Sequence, residues 1–188
     1  MDTDLPPLSD YDEDAEAWIL EVDYFYLRAL KECRAKKDRA GREKLLENLR
    51  DAVEQAVKLG VIKHWAVRLL ARDATDPKER LHYYSIAYKN RMADPLTEWG
   101  FDEQAGVMIE AAGYLREMGL IHEALDDAAQ AADCFTRALA HLQQGADLFE
   151  THCLDEDPDN SEGETFPLRP RLVTELERVR KRMGERTG

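Results

Sequence analysis

The sequence predicts an all-α fold of about seven helices arranged as helical hairpins. Two observations carry this. Apolar residues recur at three- and four-residue spacing through most of the chain, and no segment alternates with period two. Glycine and proline fall between the apolar runs as punctuation. At 188 residues and 44% hydrophobic composition, the chain is long enough to bury one sizeable core.

Nine acidic residues precede the first basic one, and Pro6 and Pro7 lie among them. Residues 1–13 therefore read as a flexible acidic arm, with Ser9 or Asp10 as possible early caps. A helix follows from about Asp14, with Trp18, Val22, Tyr26, Leu30 and Cys33 on one face. The basic stretch "CRAKKDRAGREK", with Gly41 inside it, reads as a connection. The next helix spans about Arg42–Leu59 and is stopped by Gly60; its apolar face is Leu45, Leu49, Ala52, Val53 and Ala56. A short helix then turns Ile62, Trp65, Leu69 and Leu70 inward.

"DATDPKER" marks a boundary, because Thr75 or Asp76 can cap and Pro77 suits a first helical turn, which needs no amide donor. The helix after it carries Leu81, Tyr84, Tyr88 and Met92. Pro95 and Gly100 close that segment. A further helix over about Asp102–Met118 places Ala105, Met108, Ile109, Ala112 and Leu115 inward. Beyond Gly119 the pattern resumes at Ile121, Leu125, Ala128, Ala132, Phe135, Leu139 and Leu142, with a bend expected near Gln143, Gln144 and Gly145. A last helix over about Arg171–Met183 aligns Leu172, Leu176, Val179 and Met183. Its Arg178, Arg180, Lys181, Arg182 and Arg186 suit the negative end of the helix dipole. The expected organisation is an arm (1–13), a helical-hairpin domain (14–150), an acidic loop (151–168) and a C-terminal helix (169–188) packed on the same domain.

Gly119 interrupts "YLREMGLIHEAL". A glycine costs about 1 kcal/mol inside a helix relative to alanine, but is favoured just past a helix end. The expectation is therefore a turn at Gly119 between two helices. A weaker echo surrounds Gly60 in "KLGVIKHWAV".

The segment "AGVMIEAAGYLREMGLIHEALDDAAQA" resembles a tetratricopeptide repeat, a helix–turn–helix unit of about 34 residues, best over residues 105–132. Ala112 matches a small packing position, Leu115 a usually aromatic one, Gly119 the turn, and Ala124 and Ala131 the small positions of the second helix. Ala128 stands where an aromatic is usual, and no proline follows Ala131. In a second register Ala131, Phe135 and Ala138 form the second helix. The resemblance implies a tetratricopeptide-like scaffold; an irregular helical bundle built from hairpins is the other architecture.

The formal net charge of −13 opposes nucleic acid as the main partner, because phosphate backbones need a basic face. It opposes anionic membranes too, and no stretch of 18 apolar residues is present. It favours another protein with a basic surface; a homodimer is possible. The acidic N-terminal stretch does not read as a secretory signal. Cys33, Cys134 and Cys153 are widely spaced, without zinc or CxxC spacing, so a reduced cytoplasmic setting is expected.

No motif names a reaction, and no cofactor or metal is expected. Asp155, Asp157 and Asp159 open like a calcium loop, but Asn160 and Phe166 stand where glycine and glutamate are needed. None of His64, His82, His122, His141 and His152 falls in a metal motif. Arg116 and His122 resemble the Arg/His pair of HEPN ribonucleases and toxins, so a helical enzyme using them, or a metal-dependent bundle, is the alternative. Consecutive aromatics (Tyr24, Phe25 and Tyr26; Tyr83 and Tyr84) and Trp99 near Phe101 cannot all face one core. The candidate partner-binding residues are Tyr83, Tyr84, Tyr88, Trp99, Tyr114 and His122. The function expected is a non-catalytic protein-binding scaffold: an adaptor, chaperone or toxin-neutralising protein.

Overall fold

A computed structural model describes residues 15–60, 64–93, 100–152 and 168–187. The arm over 1–13, Ile62, Trp99, Cys153 and the calcium-like loop at 155–166 lie outside these residues. The described residues form seven helices and no strands: α1 (Ala15–Lys36), α2 (Arg39–Leu59), α3 (His64–Asp73), α4 (Pro77–Ala93), α5 (Phe101–Ala124), α6 (Ala128–His152) and α7 (Leu168–Thr187). The fold is all-α, as the periodicity predicts. Contacts group the chain into two compact units, Met1–Asn90 and Arg91–Gly188. The boundary falls inside α4, within the stretch the sequence reading treats as one domain.

In the first unit, α1 and α2 form a hairpin. Trp18, Val22, Tyr26, Ala29 and Cys33 are buried along α1, and Leu45, Leu46, Leu49, Ala52, Val53 and Ala56 along α2. Burying a large apolar side chain contributes about 1.5–3 kcal/mol, so these two stripes dominate the unit's stability. The connection is only Lys37 and Asp38. Lys37 adopts a left-handed φ of 56°, while the Asp38 amide donates to the Cys33 carbonyl at 2.9 Å and the Lys37 amide to Arg34 at 3.2 Å. This is a Schellman closure with lysine in the usual glycine place. The Asp38 carboxylate then accepts from the Gly41 amide at 2.9 Å and caps α2. Gly41, expected in a connection, therefore lies in the first turn of α2. Gly60 ends α2 with φ 74°, as its position predicts.

Asp76 accepts from the Glu79 amide at 3.2 Å and starts α4 directly before Pro77. Arg42 pairs with Asp73, and Arg50 Nε donates to Glu79 Oε1 at 3.0 Å, tying α2 to the end of α3 and the start of α4. The buried residues of α4 are Tyr83, Tyr84 and Ala87. Leu81, Tyr88 and Met92, expected inward with Tyr84, are half-buried, because the core face is rotated by about one position.

In the second unit the turn at Gly119 is not found. α5 runs through Gly119 to Ala124. Gly119 is buried, and a Cβ there would lie 2.8 Å from Cε1 and 2.9 Å from Cζ of Phe135. The glycine is there for close packing, with the Phe135 ring of α6 seated on the backbone of α5. The turn comes six residues later. Asp126 takes a left-handed φ of 59°, its amide donates to the Glu123 carbonyl at 3.1 Å, and the Asp127 amide donates to His122 at 2.9 Å. Asp127 then caps α6 by accepting from the Gln130 amide at 3.2 Å.

The shifted turn resets the apolar phase. Leu125, Ala128 and Ala132, expected inward, are exposed. The buried face of α6 is Ala131, Cys134, Phe135, Ala138, Leu142, Gly145 and Phe149. α6 continues through Gln143–Gly145, the stretch where the sequence predicts a bend, to His152. Gly145 is an interior position whose Cβ would sit 3.6 Å from both Met108 of α5 and Leu172 of α7. Leu172 and Val179 are the buried residues of α7, which packs on α5 and α6. At the far end of the hairpin the Phe101 and His152 rings stack, with centroids 3.4 Å apart.

Asp127→Ala tests where the turn lies. Loss of a helix cap should lower unfolding stability by about 1 kcal/mol in denaturant titration. A turn at Gly119 would instead put Asp127 inside a helix, where alanine is stabilising.

Candidate functional site

The most distinctive surfaces among the described residues are charged, and each unit carries one. On α2 of the first unit, Glu43, Glu47, Asp51 and Glu54 are all exposed. Their spacing puts them within about 80° of arc and along about 16 Å of helix. They lie opposite the core face of Leu45, Leu49, Ala52 and Ala56, so one amphipathic helix both holds the core and displays an acidic ridge.

The second unit carries a groove of about 290 Å³ lined by Arg116, Leu120, Arg178, Lys181 and Arg182. Arg116 and Leu120 are one turn apart on α5. Arg178, Lys181 and Arg182 share a face of α7 through their i, i+3 and i+4 spacing. Glu175 organises the arginines. Its Oε2 accepts from Arg116 Nε at 2.9 Å and its Oε1 from Arg178 Nη1 at 2.6 Å. Arg116 also pairs with Glu117 at 3.0 Å. Glu175 is only 14% exposed, so both guanidinium groups are held against a largely buried carboxylate. The groove was not legible in the sequence. The basic end of α7 was, but it pointed to the helix dipole; only the tertiary contact of α5 with α7 adds Arg116.

The aromatic candidates fall differently from expectation. Tyr83, Tyr84 and Tyr114 are buried at 7%, 4% and 3% exposure, so they serve as core and present almost no surface to a partner. Two adjacent tyrosines can both be buried here because their faces straddle the inward side of α4. Tyr88 is half-buried, and Trp99 lies outside the described residues. In the α1 triplet, Tyr26 is fully buried and Tyr24 is 67% exposed, as the steric argument requires. His122 is half-buried at the end of α5, with Nδ1 at 3.5 Å from Asp127 Oδ2.

Arg116 and His122 lie on one continuous helix. They stand six positions apart, which turns their side chains about 120° apart around the axis. Arg116 is held by Glu175 and Glu117, and His122 faces Asp127. The structure does not bring the pair together. Among the described residues no three His, Cys, Asp or Glu side chains are grouped to hold a metal ion. Cys33 and Cys134 are buried free thiols; burial, aided by Asp133, pushes the Cys134 thiol up, away from the reactive thiolate. Burial also raises the Tyr83 hydroxyl, with Glu79 adding to it and Arg50 opposing. No described helix is long and apolar enough to cross a membrane.

No protein-family model, curated protein or solved structure matches the chain.

Burial lowers the pKa of His141 on α6 below the usual imidazole value, against an opposing hydrogen bond with Gln144. Below about pH 6.5 the unfolded chain takes up this proton before the folded one does. Stability should therefore be complete above that pH and fall as pH drops through it. Thermal unfolding from pH 7.5 to 5.5 should show a smaller acid-side loss for His141→Gln than for the parent; parallel curves would contradict the assignment.

Proposed function

We propose that this protein is a non-catalytic protein-binding scaffold, and that its first unit offers the acidic ridge of α2 to a basic patch on a partner protein. The observation that carries the reading is the ridge itself: four exposed carboxylates in line on a helix whose other face is locked into the core. Such a surface raises association rates and selects partners by charge more than it adds affinity. The formal charge of −13 acts in the same direction at long range.

In this reading the α5–α6 hairpin is a tetratricopeptide-like element in the second register. Ala112, Ala131, Phe135 and Ala138 are buried where two helices approach closely, which supports it. Adaptor, chaperone and toxin-neutralising roles are all served by this architecture, as is self-association into a homodimer. A cytoplasmic setting suits a chain with buried, unpaired Cys33 and Cys134.

The test is capture of partners from native cells on the parent protein and on a Glu43→Gln, Glu47→Gln, Asp51→Asn, Glu54→Gln variant, over rising salt. The expected outcome is one stoichiometric protein with a basic surface, retained at low salt by the parent and lost by the variant. A partner held equally by both, or without salt dependence, contradicts the proposal.

A further inference from the structure

α1 carries apolar residues on two faces. Trp18, Val22, Tyr26, Ala29 and Cys33 form the buried one. About half a turn away around the helix, Leu20, Tyr24 and Leu27 form a second stripe. Leu20 is 46% exposed and Tyr24 67%, and Leu27 is half-buried. A helix that is apolar on opposite faces is ordinarily covered on both. Its hairpin partner α2 differs, because the outward face of α2 is the row of carboxylates from Glu43 to Glu54. Ala17, Leu20, Tyr24, Leu27 and Lys31 follow the three-and-four alternation of a coiled-coil seam. The exposed Glu21 and Arg28 occupy equivalent flanking positions one heptad apart.

Charge is divided along the same helix. Residues 15–27 hold Glu16, Glu21 and Asp23 and no base, while residues 28–36 hold Arg28, Lys31, Arg34 and Lys36 and the single acid Glu32. Glu32 lies 3.6 Å from both Arg28 and Lys36, so one carboxylate serves two cations and the second half keeps a positive surplus. We infer that the outer face of α1 docks antiparallel on α1 of a second copy of this chain. A parallel copy would set acid on acid and base on base. An antiparallel copy sets the acidic half of each helix against the basic half of the other, and aligns the two helix dipoles favourably. Centred on Tyr24, it brings Arg28 beside Glu21 of the second copy, and the two-fold axis repeats that contact. A uniformly basic or uniformly acidic partner would meet its own sign on half of the face, so the divided charge selects a second copy. The formal charge of −13 on each copy opposes association at long range, but is screened beyond about 8 Å at physiological salt. The stripe is short, so the dimer is a weak, reversible one. This gives self-association a defined surface, and stands whether or not the α2 ridge binds another protein.

The test is sedimentation equilibrium of the full chain at physiological salt, from about 1 to about 500 µM. All variants alter exposed positions and are checked for unchanged thermal unfolding. The parent should show a reversible monomer–dimer equilibrium. Leu20→Glu, Tyr24→Glu should weaken it at least about tenfold. Glu21→Arg and Arg28→Glu should each weaken it about threefold or more, because like charges then face each other across the seam. Both reversals in one chain should return association to within about twofold of the parent, and a mixture of the two single variants should associate more tightly than either alone. Three results would overturn the proposal. The first is a monomer at every concentration, which would leave the face to another segment of the chain or to a different protein. The second is a dimer unaffected by Leu20→Glu, Tyr24→Glu. The third is a double reversal that associates no better than the single ones. None of these changes touches the α2 ridge, so the outcome is independent of partner capture on that ridge.

Discussion

The second unit depends on one close approach, the Phe135 ring against the backbone of Gly119. A ring that is fully buried and within 3 Å of where a Cβ would stand leaves no room for any side chain at that position. Around it, Ala112 and Leu115 of α5 face the Ala131, Cys134, Ala138 and Leu142 side of α6. Small residues bring the two helices close, and the single large ring fills the space they leave. Gly145 extends this further along α6, where Met108 and Leu172 meet it at van der Waals distance. α7 is thereby seated on the hairpin, and the α5/α7 groove follows from that seating.

The same economy governs charge. In each unit the inward face of a helix is fixed by apolar packing, which leaves its outward face free to carry a pattern. On α2 that pattern is a row of carboxylates, and on α7 it is a row of cations joined by Arg116 of α5. Ion pairs exposed to water contribute little to stability, typically below about 1 kcal/mol. The Arg116–Glu175 pair differs: at 19% and 14% exposure it is shielded from water, and it ties α5 to α7.

The helical class was legible from apolar spacing such as that of Trp18, Val22 and Tyr26, and two helix boundaries, the start at Asp76–Pro77 and the stop at Gly60, were legible because they rest on local chemistry. The hairpin of α5 and α6 was legible too, but its turn was not. Glycine is the commonest left-handed residue at a helix end, and here aspartate and lysine take that role at Asp126 and Lys37. The reason Gly119 is glycine lies on another helix, at Phe135, where no local rule reaches. Placing the turn six residues early then carried the inward face to Leu125, Ala128 and Ala132. Burial of Tyr83, Tyr84 and Tyr114 was likewise not legible, since it is decided by packing partners distant in sequence. The groove needs α5 and α7 side by side, and the sequence separates Arg116 from Arg178 by the whole of α6.

Gly119→Ala and Gly113→Ala, compared in one denaturant titration, test the central constraint most directly. Both glycines lie inside α5, but a Cβ at Gly113 meets nothing within 4 Å. Gly113→Ala should stabilise by about 1 kcal/mol through helix propensity. Gly119→Ala should destabilise by about 1–3 kcal/mol, because the buried Phe135 ring must be displaced. Stabilisation by both substitutions would contradict the account and return Gly119 to the status of an ordinary helical glycine.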